Sequence, residues 1–176
     1  MVSCGLFFPH LSNRFDVLFL QFHYNLGKTL YSVCEGKDVG DTILIIASQI
    51  NHGKESILKD DNLRIPIVKL NIAAGKISID SCRHKMAYSY LHTAQSLLPD
   101  DHWESHYDVS LRLSLMMASA ANKICKYDEA ELILKSIFKE ARCTEDKLSA
   151  YYLLTTSEYL VLCFCNFIHL AITPDT

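Results

Sequence analysis

The feature that most constrains this chain is a pattern of apolar residues that recurs after 43 residues. Over residues 130–141 the apolar side chains fall three and four positions apart, as they do on one face of an α-helix. Residues 87–98 show the same pattern, and five positions correspond at one constant offset. The corresponding positions are Ala87, Tyr90, Leu91, Ala94 and Leu98, followed by Ala130, Ile133, Leu134, Ile137 and Ala141.

The helices that precede these two obey the same offset. Leu70, Ala73, Ala74 and Ile77 correspond to Leu113, Met116, Met117 and Ala120, and His84 corresponds to Tyr127 at the intervening turn. A period of this length, made of two amphipathic helices, is typical of helical-repeat arrays. The sequence therefore predicts an all-α fold of TPR-like antiparallel helix pairs, a short α-solenoid with two pairs plus an incomplete third.

The third unit begins with a helical face that includes Leu148, Tyr151 and Tyr152, and we expect the array to stop before the second helix of this unit. An array that stops within a repeat exposes an apolar face. We therefore expect self-association through the uncapped C-terminal helix, which a monomer at all concentrations would contradict. The predicted segments are 1–22 (unassigned), 23–62 (helical linker), 63–168 (repeats, with pairs about 64–98 and 102–142 and a third helix about 145–165) and 169–176 (C-terminal tail).

Local signals refine these boundaries. Asp41 is predicted to be an N-cap and Gly53 a C-terminal stop for a short helix. Asp101, with Glu104 three residues later, resembles a capping box that opens the next helix after Pro99. We interpret Trp103 as an aromatic wedge between helix pairs and Gly75 as a small residue that lets two helices approach closely.

The composition is that of an ordinary globular domain. Of the 176 residues, 49% are hydrophobic and 21% charged, and the formal net charge is −3, with no basic cluster that would favour nucleic acid. No apolar stretch reaches the roughly 18 residues of a membrane helix, so no membrane partner is expected. Seven cysteines, an odd count without facing pairs, favour a reduced, cytoplasmic protein with buried thiols.

The segment Gly27-Lys28-Thr29 reproduces the last three positions of a phosphate-binding loop. The first glycine of that motif lets the backbone turn tightly around the anion, but Phe22 stands at its position here. The residues between Phe22 and Gly27 have a helical pattern. We therefore interpret Lys28 as a solvated helix residue, and no nucleotide cofactor is predicted.

Other reactive residues form no convincing site. Cys163, Cys165 and His169 lack a fourth ligand at zinc-finger spacing, and a Cys82–His84 dyad lacks a group that orients it. Asp100 and Asp101 are explained by helix capping, and His84, His92, His102 and His106 are taken as surface or turn residues. The sequence thus predicts no catalytic, cofactor-binding or metal-binding residue and no enzymatic activity.

The repeat region resembles the TPR-like helical region of large predicted signalling proteins that join a serine/threonine kinase-like domain to an AAA/STAND-type ATPase. The resemblance covers roughly residues 22–155, and its most specific part is the sequence from Trp103 to Tyr107. Further matching positions are Leu98, Pro99, Asp101, the segment 127–131, Asp146 and Lys147, with the upstream stretches FHYNLGKTLY, ASQINHGKE and KLNIAAGKIS.

The resemblance implies a parent protein with ATP-dependent switching and kinase signalling, in which this region is a scaffold. The chain lacks the phosphate loop, the kinase glycine loop and the catalytic Asp, so neither activity is carried over, and it is expected to be a truncated or fragmentary member. The first hypothesis is a non-catalytic module that binds proteins, peptides or neighbouring domains. The alternatives are a fragment of an ATP-binding enzyme whose catalytic domains lie elsewhere, and a small metal- or thiol-dependent enzyme using Cys82 and His84 or Cys163 and Cys165.

The nucleotide alternative has a direct test. Calorimetry of the purified chain with ATP and magnesium is expected to show no binding heat, because the GKT sequence lies in a predicted helix. Saturable binding that the Lys28→Ala substitution abolishes would contradict this expectation and favour the enzyme hypothesis.

Overall fold

The computed structural model describes residues 9–34 and 40–156, and these residues form helices joined by short turns. No strand occurs within the described ranges. The helices are α1 (Pro9–Cys34), α2 (Thr42–Asn51), α3 (Lys54–Leu58), α4 (Asp61–Asp80), α5 (His84–Leu97), α6 (His102–Ser105), α7 (Tyr107–Lys123), α8 (Tyr127–Glu140) and α9, described over residues 144–156.

The predicted all-α fold of antiparallel helix pairs is confirmed. The closest packing joins α4 to α5, α7 to α8 and α1 to α2, and α5 also packs on α7. One buried apolar cluster extends from α1 to α7, and a second lies between α7, α8 and α9. None of the helices in the described ranges has the length and apolar character that crossing a bilayer requires.

The 43-residue repeat reappears in the backbone of the two hairpin turns. Cys82 and Cys125, which correspond in the repeat, both adopt positive φ, at 57° and 62°. The next N–H in each turn bonds back across the helix end, from Arg83 to the Ser78 carbonyl at 2.7 Å and from Lys126 to the Ala121 carbonyl at 2.9 Å. This is the Schellman arrangement that ends a helix with one left-handed residue. Each repeat therefore turns in the same way, although a cysteine replaces the usual glycine.

Small residues set the spacing within each pair. A Cβ added to Gly75 of α4 would lie 2.7 Å from Leu91 Cδ2 of α5, closer than real Cβ atoms approach. The corresponding residues of the next pair, Ala118 and Leu134, are both buried in the second cluster. The prediction that Gly75 permits close helix approach is thus confirmed.

The segment expected to be a linker forms a helix pair of its own. Helix α1 crosses the predicted boundary at residue 22 and packs against α2. The α1–α2 pair shares the first apolar cluster with the repeats and also makes polar contacts with them. The side-chain amides of Asn51 and the fully buried Asn71 exchange hydrogen bonds of 2.8 and 2.9 Å, and the Tyr90 hydroxyl donates to the Leu44 carbonyl at 2.9 Å.

The residues predicted as caps, Asp41, Gly53 and Asp101, all lie at helix ends, but the side chains of the two aspartates do not cap by hydrogen bonds. Gly53 follows His52, the C-cap of α2, so the helix ends at the predicted place, and Gly53 is also the N-cap of α3, where it lies against the Tyr24 ring. Asp41 and Asp101 occupy N-cap positions, but neither side chain makes a capping hydrogen bond. The box at Asp101 opens only the four-residue α6, because His106 leaves the helical conformation before α7 begins. Asp60 is a working cap, since its carboxylate accepts from the Asn62 N–H at 3.1 Å.

The contact between α1 and α2 yields a stability prediction. A Cβ at Gly27 would lie 2.6 Å from both the Ile50 Cγ1 atom and the Ile50 backbone nitrogen. We expect Gly27→Ala to lower the free energy of unfolding in urea, since overpacking costs about 1–3 kcal/mol and the helix propensity of alanine returns only about 1 kcal/mol. The exposed Ser32→Ala on the same helix is the control, with an expected change within about 0.5 kcal/mol. Equal stabilities for the two variants would contradict the close contact.

Candidate groove on the first helices of the repeats

An open groove runs between α4 and α7, the first helices of the two complete pairs. It consists of two adjoining cavities of about 540 and 280 Å³, which share Asp108 and Arg112. Because α5 packs on α7 while α4 contacts α7 only sparsely, the two first helices diverge on this face. The groove is lined by Lys69, Ile72, Ala73, Lys76, Ile79, Asp108, Val109, Leu111, Arg112, Leu115, Met116, Ser119 and, from α9, Ser149.

The groove is built largely from positions that correspond in the repeat. Four positions of α4 have their equivalents in α7 at the 43-residue offset, and both members of each pair line the groove. These pairs are Lys69 with Arg112, Ile72 with Leu115, Ala73 with Met116, and Lys76 with Ser119. The groove therefore has an apolar floor and a basic residue at the same place in each repeat.

The charges of the groove are mostly uncompensated. The side chains of Lys69 and Arg112 are exposed and make no hydrogen bond or ion pair within the described part of the chain. Lys76 pairs with Asp80 at 2.8 Å, but both side chains are more than half exposed, so the pair is weak. Asp108 is the one carboxylate among the described residues that line the groove. The lining thus carries three cations and one anion, in a chain whose net charge is −3.

A polar cluster on the opposite side holds the two pairs together. The Tyr88 hydroxyl of α5 donates to the Glu129 carboxylate of α8, which also accepts from Lys126 Nζ at 2.7 Å. Lys126 in turn lies 4.7 Å from the centroid of the Tyr88 ring. Burial, together with the hydrogen bond to Glu129, raises the pKa of Tyr88 to about 12. At physiological pH the Tyr88 hydroxyl is therefore neutral and the Glu129 carboxylate is ionised. The hydrogen bond between them connects α5 and α8, the second helices of the two repeats.

A second cluster positions α9 at the end of the groove. The hydroxyl of Tyr107, the first residue of α7, donates to Asp146 Oδ2 at 2.5 Å and accepts from the Arg142 N–H at 2.8 Å. The Arg142 guanidinium stacks on the Tyr107 ring at 4.1 Å. Hydrogen bonds from Tyr107 and Cys143 hold the pKa of Asp146 below its ordinary value. This contact places Ser149 of α9 at the groove. The half-buried Trp103 packs against the second apolar cluster, between α7, α8 and α9, as its interpretation as an aromatic wedge predicts.

The GKT sequence lies within α1 and is engaged in helix contacts. Gly27 is buried beneath Ile50, and the Thr29 hydroxyl donates to the Asn25 carbonyl at 3.0 Å. Lys28 is exposed, with its Nζ 5.5 Å from the centroid of the Tyr24 ring. The interpretation of Lys28 as a solvated helix residue is confirmed, since the backbone N–H groups that would hold a phosphate are in the middle of a helix.

The prediction of buried thiols was wrong for the cysteines that the structure describes. Buried thiols were expected, but Cys82, Cys125 and Cys143 are exposed and Cys34 is half-buried. Cys82 and Cys125 are exposed because they occupy the left-handed position of each hairpin turn. Tyr127 stands two residues after Cys125, where His84 stands two residues after Cys82, so the second turn is made without a Cys–His pair. Cys163, Cys165 and His169 lie outside the described residues.

In the described part of the chain, no group of three or more His, Cys, Asp or Glu residues is arranged to bind a metal ion. His102 is the first residue of α6, its Nδ1 lies 2.8 Å from the buried Ser110 hydroxyl of α7, and burial lowers its pKa. His84 and His106 are half-buried at helix starts, whereas His92 is exposed. Asp100 and Asp101 are both exposed and lie in the turn before α6.

No protein-family model, no curated protein and no solved structure matches this chain. The resemblance to the helical region of ATPase–kinase signalling proteins is therefore carried forward only as a proposal.

The sequence patterns did not single out the groove. Lys69, Lys76 and Arg112 are ordinary surface residues in a linear pattern, because helical periodicity identifies the buried face and leaves the exposed face undefined. The signal that could have found them is the 43-residue offset itself, applied to the basic residues as well as to the apolar ones.

The Tyr107–Asp146 contact predicts a pH dependence. Because the folded state depresses the pKa of Asp146, its stabilising contribution is complete above the ordinary value of 3.8 and is lost as the pH falls through the lower folded value. We expect Tyr107→Phe to lower the free energy of unfolding at pH 7 and to cost progressively less below pH 3.8. The control is Tyr127→Phe, whose hydroxyl reaches only Cys125 Sγ at 3.6 Å. A cost for Tyr107→Phe that is constant with pH would exclude this role of Asp146.

Proposed function

We propose that this chain is a non-catalytic helical-repeat interaction module that binds a protein or peptide segment in the groove between α4 and α7. The observation that carries the proposal is the groove itself, an open channel with an apolar floor formed by equivalent positions of consecutive repeats. Arrays of helix pairs use such surfaces to hold extended partners, because each added pair lengthens the same surface.

The groove is suited to binding rather than to catalysis. Within its described lining there is no histidine or cysteine, and its titratable groups are Lys69, Lys76, Arg112 and the single carboxylate of Asp108. A hydrolytic or transfer reaction needs a nucleophile and a base in contact, and this lining supplies no such pair. Side chains that are partly exposed and apolar, with charges at the rim, match the anatomy of a protein-binding surface.

The finer part of the proposal comes from the sequence resemblance. We propose that the module serves as a scaffold in a cytoplasmic signalling protein of the ATPase–kinase type, where the partner is another protein or a neighbouring domain. The exposed Leu148, Tyr151 and Tyr152 of α9 support a further proposed contact, self-association through that helix.

The proposal is tested by site-specific photo-crosslinking. A photoreactive amino acid at Ser149, which is exposed and lines the groove, is compared with the same amino acid at Ser136, which is exposed on α8. In an extract of the cells that make the protein, we expect defined protein adducts from position 149 that position 136 does not give, identified by mass spectrometry. The same adducts from both positions, or none from position 149, would overturn the proposal.

A further inference from the structure

We propose that the segment held in the groove is acidic, with apolar side chains interspersed among its carboxylates. This inference rests on the proposed function and adds the chemistry of the partner. Three observations carry it: the recurrence of a cation at one repeat position, the lack of internal partners for that cation, and the sign of the groove against the sign of the whole chain.

The first observation is positional. Lys69 and Arg112 are equivalent residues of consecutive repeats, and both line the smaller cavity. Between them lies the apolar floor, which includes Ile72 and Val109. A segment lying along the groove therefore meets a cation from each repeat together with apolar surface, so a partner with alternating acidic and apolar side chains satisfies both.

The second observation is that these cations are available. Neither the Lys69 ammonium nor the Arg112 guanidinium is used by a carboxylate within the described residues, although Asp108 lines the same cavity. Most of the ion pairs outside the groove join residues three or four apart on one helix or helix start, as Lys126 does with Glu129 and Lys135 does with Glu131. Asp108 stands four residues before Arg112 and makes no such pair with it. An incoming carboxylate can accept hydrogen bonds from two of the Arg112 guanidinium N–H donors without breaking an internal contact.

The third observation is the local sign of charge. The lining has three cations, of which Lys76 pairs with Asp80, and one carboxylate, while the chain as a whole has a formal charge of −3. Attraction between a basic groove and an acidic partner raises the association rate and discriminates against basic segments more than it increases the affinity. Binding of the acidic segment is therefore expected to weaken as salt is added.

The test selects ligands without assuming one. A displayed library of random twelve-residue peptides is enriched on the full chain, and the charge of the enriched peptides is compared with that of the starting library. We expect an excess of Asp and Glu with apolar residues. The best peptide is then labelled, and its affinity is measured by fluorescence anisotropy for wild type and for variants.

Three variants in the groove separate a charge effect from a loss of fold. Lys69→Gln and Arg112→Gln are each expected to weaken binding roughly twofold to fivefold, whereas Asp108→Asn is expected to strengthen it by a similar factor, which a damaged fold would not do. Lys85→Gln, at an exposed position on α5, is the control and is expected to leave affinity unchanged. Ser149→Trp, which fills the end of the larger cavity, is expected to block binding.

Each outcome is decisive. Enriched peptides that are neutral or basic but are blocked by Ser149→Trp would overturn the acidic partner and leave the groove as a binding site. Peptides that Ser149→Trp does not block, or no enriched peptides, would overturn both the acidic partner and the groove. Equal weakening by Asp108→Asn and Arg112→Gln would also overturn the charge argument.

Discussion

The close approach of paired helices at small residues is the constraint on which the rest of this structure depends. Gly75 lies under Leu91, and the equivalent Ala118 and Leu134 are buried together one repeat later. A short turn joins the two helices of each repeat pair, and each turn is completed by one left-handed residue, Cys82 or Cys125. A non-glycine residue in that conformation costs about 1–2 kcal/mol, so the packing of each pair has to offset the strain of its own turn.

Once the pairs are formed, their stacking determines which surface stays open. Helix α5 lies against both α4 and α7, so the second helix of one pair fills the space between the first helices on one side of the array. On the other side α4 and α7 diverge, and the groove is what remains between them. The Tyr88–Glu129 and Tyr107–Asp146 hydrogen bonds connect successive units at their ends, so the groove is held in shape by contacts that do not line it.

The repeats could be predicted from the sequence because two independent signals, the apolar stripe and the turn, recur at one offset. The α1–α2 pair could not, because it departs from that offset and carries its close contact at Gly27 and Ile50 instead. Gly27 was conspicuous in the sequence for its place beside Lys28, yet its role is steric. The capping pattern at Asp101 located a helix start but not its length: Asp101 makes no capping hydrogen bond, and the chain leaves the helical conformation at His106, where the Ser110 hydroxyl donates to backbone carbonyls of His102 and His106.

Residues on the exposed face of a repeat are not determined by helix packing, whereas residues on its buried face are. Apolar residues at equivalent positions follow from packing alone, since every pair has to bury the same stripe. No such requirement acts on Lys69 and Arg112, because both side chains are exposed and neither stabilises the fold through a described ion pair or hydrogen bond. An exposed helix position tolerates almost any polar residue. The stability of the array therefore does not explain the coincidence of two cations at one repeat position, beside an apolar floor and without internal partners, and the proposed acidic partner rests on that coincidence.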